Sequence, residues 1–532
     1  MKFTFRLTAP LASLFLLSHL LFLTSCGESD GSPTGDNLTD EQRHLPENAL
    51  KSLETAPGLH VSAMATEPML RNPTNIDVDE RGRIWVTEAY NYRPEINGNP
   101  VNEKGDRILI LEDKDGDGVT EHAKVFYQGP EINAPLGVCV LGNKVLISQS
   151  PYVWAFYDDN GDDSADRKEI MFQGIGGVQH DHGMHTFTFG PDGKLYFNFG
   201  NAGETLKDKN GKTVLDQDGD EIGPNKYRQG MVFRCNPDGS QVECLGHNFR
   251  NNYELAVDSY GTIWQSDNDD DGNRGVRINY VMDYGNYGFT DEMTGASWQS
   301  ARTNMEDSIK FRHWHLNDPG VVPNLLQTGA GSPTGMVIYE GSLLPEQFRN
   351  QIIHADPGVN VVRSYPVQKA GAGYTADIIN ILNGEKDKWF RPADICVAPD
   401  GSLIVADWYD PGVGGHQAGD QQRGRIYRVA PNDEKYIIPG QDYSSPEGAI
   451  KALQSPNLAV RRHGWITLHE MGDKAMPALE KLWRGNDANP RMRARAYWVL
   501  VKGNNGEQYI AEAANSDIPE FRMMALRAAR EN

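Results

Sequence analysis

The feature that most constrains this chain is a short unit that recurs along it: a turn carrying Gly or Asn, followed by a strand with alternating apolar residues. Clear copies stand at 79–88, 141–148, 190–198, 258–266 and 398–407, with a looser one at 348–356. A hairpin repeated at intervals cannot bury its apolar face alone, so neighbouring copies must pack side by side around a common axis. A β-sandwich would not explain the recurrence. The copies predict an all-β six-bladed propeller over 49–435, with long insertions between repeats. The chain has 532 residues, more than one ordinary core holds. Its 55 glycines and 30 prolines suit many short strands joined by tight turns.

Past residue 431 the periodicity changes from two to that of a helix. Helical spacing covers 447–468, 475–483, 490–502 and 519–530, and the segments 457–468, 489–500 and 518–529 look alike. Similar helices at a fixed interval predict a HEAT-like α-helical solenoid over 445–532. The third copy ends without a polar capping repeat, so the solenoid is expected to be incomplete or to need a partner.

Residues 1–26 read as an export signal. Lys2 and Arg6 precede a short apolar run that ends at Leu23-Thr24-Ser25-Cys26. This ending resembles the bacterial lipobox, which makes Cys26 the expected lipidation site. Residues 27–48 read as a flexible tether. The expectation is a cell-envelope lipoprotein held to the membrane through its lipid alone. Of the other cysteines, Cys235 and Cys244 flank a hairpin turn and could form a disulfide.

The net charge of −22 argues against nucleic acid as a partner. Much of the acid is clustered. Asp113, Asp115, Asp117 and Glu121 form a D-x-D-x-D-G-x-x-E loop, and Asp158, Asn160, Asp162 and Asp166 form a similar one. Oxygen ligands at alternate residues around a glycine turn point to calcium. Asp216, Asp218 and Asp220 make a third cluster, and Asp267, Asp269 and Asp271 a fourth.

Polar residues also gather where the blades begin. His180, His182 and His185 precede the third hairpin, 246–254 opens the fourth blade with Arg250 and Asn251, and Ser332 to Gly335 opens the fifth. At a propeller's axial mouth such residues would meet a ligand. The three histidines could also be metal ligands.

These segments carry a resemblance. His182 stands about eight residues before the Gly190-Pro-Asp turn, as the catalytic histidine does in soluble glucose/sorbosone dehydrogenases. The stretch 246–256, Tyr284 to Gly288 and Ser332 to Gly335 resemble further segments of that family. The whole chain is similar to putative membrane-bound dehydrogenases of planctomycete-type and Bacteroidota bacteria, which join this propeller to HEAT repeats and often to a cytochrome c. The resemblance implies a sugar or polyol substrate and pyrroloquinoline quinone as cofactor. His182 would be the general base, for which an imidazole's near-neutral pKa is suited. Arg250 would stabilise charge on the quinone, with Asn251, Arg391 and His185 as further cofactor contacts. Calcium would sit near Asp267, Asp269 and Asp271. Electrons would leave to a separate carrier such as a cytochrome c. The chain departs from the family in two places: no lysine stands near His354, and paired arginines are reduced to Arg391. Two other readings stay open, a non-redox lactonase or lyase with His182, His185 or Asp269 on a metal, and a carbohydrate-binding or scaffold protein.

Overall fold

A computed structural model describes residues 37–176, 180–203, 205–269, 274–296, 307–413, 417–485 and 489–531. Cys26, the first ten residues of the expected tether and Asp271 lie outside them.

Each repeated turn joins the first and second strands of one blade, and its aspartate shows why. Asp79 Oδ1 accepts the backbone N–H groups of Arg81 and Arg83. Asp258 Oδ1 does the same for Tyr260 and Thr262, and Asp400 holds Ser402. An aspartate that caps its own turn fixes the hairpin before any long-range contact forms.

Six blades result, as the repeat predicts. Their first strands are Pro73–Val78, Gly137–Leu141, Met184–Phe189, Leu255–Val257, Met336–Tyr339 and Pro392–Val397. These six contact one another in a closed ring around the axis. Their second strands are Ile84–Glu88, Lys144–Gln149, Leu195–Phe199, Ile263–Asp267, Gln351–Asp356 and Leu403–Asp407. Second strands such as Ile84–Glu88, Ile263–Asp267 and Leu403–Asp407 are buried on both faces, so apolar side chains fill the gaps between blades, while an outer strand such as His122–Gln128 is mostly half-buried or exposed. Blade six is completed by Leu59–Ala65, which pairs antiparallel with Arg425–Pro431. Joining the start of the propeller to its end removes the open edge that a ring of sheets would otherwise leave.

The described part of the expected tether is not loose. Leu38 is buried, His44 stacks on Trp389 at 4.0 Å, and Arg425 donates to the carbonyl of His44.

Six helices follow the propeller: Pro446–Leu453, Leu458–Met471, Met476–Arg484, Pro490–Leu500, Gly506–Ala514 and Pro519–Glu531. Ser445, Asn457 and Asn489 cap three of them with side-chain oxygens. No helix among the described residues is long and apolar enough to cross a membrane. The helices pack on the propeller. Asn457 donates to the carbonyls of Val78 and Val397, and Glu340 is buried among Arg461, Arg491 and Arg495. A cavity of about 90 Å³ remains between the inner strands and this layer.

The expected disulfide does not form: Cys235 and Cys244 are free. Cys244 stands opposite Phe233 in the ladder, so Cys235 is displaced by two residues along the strand and cannot face it.

Candidate functional site at the axial mouth

The opposite end of the axis opens into a cavity of about 380 Å³. Two sets of residues line it, and both follow from the blade's antiparallel geometry. One set lies just before or at the start of first strands: Thr74, Leu136, His182, Tyr253, Thr334 and Arg391. The other lies just after second strands: Tyr92, Asn268, Pro357 and Trp408. Strand one begins where strand two ends, so every blade presents two backbone segments to the mouth.

His182 is almost fully buried. Its Nδ1 lies 2.7 Å from Asn201 Oδ1. An amide oxygen only accepts, so Nδ1 carries the proton and Nε2 keeps its lone pair. Asn201 is fixed in turn by donating its backbone N–H to the carbonyl of Arg250, at 2.6 Å. The segment is tight: a Cβ at Gly200 would lie 2.6 Å from the His182 carbonyl oxygen. Asp181, beside His182, pairs with Arg93 at 2.7 Å.

Arg250 enters ahead of blade four. Its NH1 donates to the Asn268 carbonyl at 2.9 Å, and its Nε lies 3.3 Å from Asp269. Asn251 follows it, with a buried Oδ1 that has no hydrogen-bond donor. Arg391 comes from the lead-in to blade six. Its Nε, NH1 and NH2 donate to the carbonyls of Asp410, Pro357 and Pro411. No carboxylate among the described residues comes within ion-pair distance of it. Burial lowers its pKa, and the charges of Asp410, Asp407 and Asp387 oppose that. A guanidinium does not lose its proton in a protein, so Arg391 brings a positive charge to the wall. Three of its five N–H donors are accounted for by those carbonyls.

Residues 45–433 match the model of a family described as a domain of unknown function, DUF7133. The chain belongs to that family. No curated protein matches it. The DUF7133 propeller aligns with the holo form of the pyranose dehydrogenase PQQ domain from Coprinopsis cinerea, at 15% identity and a TM-score of 0.47, over 71% of this chain and 97% of that one. It aligns with the PQQ-bound aldose sugar dehydrogenase from Streptomyces coelicolor at 18% identity and a TM-score of 0.43, over 71% and 99%. The calcium structure of a family AA12 carbohydrate-active enzyme from Trichoderma reesei gives 15% identity and a TM-score of 0.48, over 71% and 97%.

The DUF7133 mouth gathers His182, Arg250, Asn251 and Arg391 around one cavity. It does not include His185. That ring is stacked on Tyr253 at 3.9 Å, with its nitrogens 3.1 Å from the carbonyls of Asn252 and Asp181, and burial pushes its pKa down to about 4. His185 supports the floor and is not a cofactor contact. At the fourth acidic cluster, where calcium is expected, Asp271 lies outside the described residues and the other two carboxylates face cationic and N–H groups. Asp267 accepts the backbone N–H groups of Arg250 and Asn251 on one oxygen and Arg277 on the other. Asp269 faces Arg250 and His313. Asp267 is thus engaged on both oxygens, while Asp269 is shared between Arg250 and His313.

Among the outer acidic loops, Asp113, Asp115, Asp117 and Glu121 bring their carboxylates within 4.8 Å of one another. The second loop does not close in this way. Asp166 accepts the side-chain amide and the backbone N–H of Asn160, while Asp158 caps the backbone of Gly161, Asp162 and Asp163. The third holds an internal cation: Lys226 Nζ lies 2.6, 2.8 and 2.9 Å from Asp216, Asp218 and Asp220.

Residue-type reading missed Asn201, Tyr92, Trp408 and His313. The first three had a signal in the repeat register, because each follows the second strand of a blade. His313 had none, lying in the long insertion between Val276–Val281 and Leu326–Gly329.

Proposed function

We propose that the axial mouth is the active site of a sugar- or polyol-oxidising dehydrogenase of the quinone-dependent kind. The observation that carries this reading is the convergence of a base-competent imidazole and an ion-unpaired guanidinium, His182 and Arg391, on one cavity from opposite blades.

The residues fit an anionic planar cofactor. Arg391 offers a charge held by backbone carbonyls and Arg250 a second beside Asp269, while Tyr92, Tyr253 and Trp408 offer flat apolar surface. Bound pyrroloquinoline quinone would supply a two-electron acceptor for the hydride equivalent of an alcohol C–H bond. The chain's own residues do the rest. His182 Nε2 takes the hydroxyl proton while Asn201 holds the ring in the right tautomer. Asn251 Oδ1 accepts from a second hydroxyl and orients the substrate. The aromatic faces pack on the C–H faces of a sugar ring. Calcium belongs in this proposal as a structural ion at the loop of Asp113 and Glu121, away from the mouth. The proposal also includes a lipid anchor at Cys26, a place in the cell envelope and a separate electron carrier such as a cytochrome c.

The test is reconstitution of the chain from residue 37 with calcium and pyrroloquinoline quinone, followed by dye reduction over a sugar and polyol panel. The reading requires saturable quinone binding and turnover that His182→Asn lowers by about 10²-fold or more. Folded protein that binds no quinone would exclude it.

A further inference from the structure

Arg250 has a long side chain with much rotational freedom, and holding it in a mouth open to solvent needs fixed points. The Asn268 carbonyl is one and Asp269 is the other. Asp269 is fully buried, and a buried carboxylate beside one guanidinium would ordinarily turn both oxygens onto it as a bidentate pair. Here it cannot. His313, itself buried, places Nδ1 against Asp269 Oδ2, so only Oδ1 is left for Arg250. Splitting the carboxylate in this way leaves one oxygen for Arg250, whose side chain stands in the cavity wall.

The neighbouring residues make the same arrangement rigid. Trp314 Nε1 donates to the Gly275 carbonyl at 2.7 Å, and its ring lies 3.6 Å from the guanidinium carbon of Arg277. Arg277 pairs with Asp267, the residue that holds the backbone N–H groups of Arg250 and Asn251. One short segment of the blade-four insertion therefore secures the backbone of the Arg250 pair through Trp314 and its side chain through His313. Nδ1, set against a carboxylate oxygen, is the His313 nitrogen that bears the hydrogen.

We propose that His313, acting through Asp269, is the positioning residue that sets the Arg250 guanidinium in the mouth for an anionic ligand. The identity of that ligand rests on the dehydrogenase reading, but the positioning does not.

Two variants of the full chain decide it. His313→Leu removes the donor, and His313→Gln keeps one. Crystal structures report the Arg250 side chain, and titration with pyrroloquinoline quinone followed by tryptophan fluorescence reports affinity. Thermal melts report folding. We expect Asp269 to close both oxygens on Arg250 in His313→Leu, and the quinone Kd to rise about tenfold with little change in Tm, as for one lost charge-assisted contact. His313→Gln should stay within about threefold of wild type. Should His313→Leu not fold, His313→Asn, polar but shorter, takes its place. An unmoved Arg250 with unchanged Kd would overturn the proposal. So would equal losses in Leu and Gln variants that track Tm, since those mark a packing role only. If the wild-type chain binds no quinone, the dehydrogenase reading fails, and the Arg250 geometry in the variant crystals still decides the positioning.

Discussion

At His182 a single hydrogen bond decides the chemistry available. Asn201 accepts a hydrogen bond from Nδ1–H and leaves Nε2 basic, so the pair should behave as a unit. Asn201→Leu releases the ring to either tautomer and is expected to lower kcat by about tenfold with KM nearly unchanged, because positioning and proton transfer are lost more than binding. An unchanged kcat in steady-state assays would show that the imidazole acts without Asn201. Arg391 answers a different question. Arg391→Lys keeps the charge but cannot donate to three separate carbonyls, those of Asp410, Pro357 and Pro411. The lysine variant should lose about 1–3 kcal/mol of stability, as unmet buried acceptors cost, seen as a lower urea midpoint. Sequence reading named both residues through a family resemblance, and both line the mouth. It did not find what holds them, because hydrogen-bond partners such as Pro357 and Pro411 carry no residue-type signal.

At the scale of the blade, four of the six second strands end in a carboxylate that is an anchor. Glu88, Asp267, Asp356 and Asp407 close these strands, and each accepts a backbone N–H from a lead-in to a first strand: Arg71, Arg250, Ser332 and Arg391. The same contact recurs because the antiparallel hairpin brings those two segments together in every blade. This is why Asp267 looked like part of a calcium cluster and is instead one of a repeated set. Asp407→Ala should lower stability by about 1–3 kcal/mol and, with it, quinone affinity, since Arg391 is the residue released; a normal urea midpoint would refute the anchor. The third acidic loop gives a second test at this scale. Lys226→Met leaves Asp216, Asp218 and Asp220 facing one another without their cation, so Tm should fall in chelator and recover with millimolar calcium. Failure of calcium to restore Tm would show that the loop's shape is set for an ammonium group alone.

Across the whole molecule, the helical layer covers the propeller end opposite the mouth, and Glu340 is the charged centre of that joint. Burial opposes its ionisation, but Arg495, Arg491 and Arg461 hold its carboxyl well below the usual range. Glu340→Ala leaves three buried guanidinium groups facing one another. It should cost about 3–5 kcal/mol and expose the helices to limited proteolysis before the propeller. Along the axis, Glu254 and Asp394 meet at hydrogen-bonding distance, and burial raises both above ordinary carboxylate values. Unfolded, both would ionise near pH 4. The folded chain therefore binds more protons than the unfolded one from that pH upward, and this contribution to stability is lost as pH rises through the raised values. Glu254→Gln, which does not titrate, should gain Tm relative to wild type on going from pH 5 to pH 8. A constant difference across that range would remove the pair from the pH response.

What the amino-acid sequence determined by itself was periodicity. Turn residues and alternating apolar strands are local, so the six blades and the helical segment after them could be read from spacing, while the site residues were named through a family resemblance. The tertiary structure decided everything that depends on which distant groups meet. It turned the carboxylates of Asp267 and Asp269 toward Arg277, Arg250 and His313, set Lys226 among Asp216, Asp218 and Asp220, and left Cys235 and Cys244 out of register. It also left the Arg391 guanidinium without a carboxylate at ion-pair distance among the described residues. The physical reason is common to all of these: a charge's role is fixed by the partner it faces across the fold, and the chain brings that partner from another strand, blade or insertion.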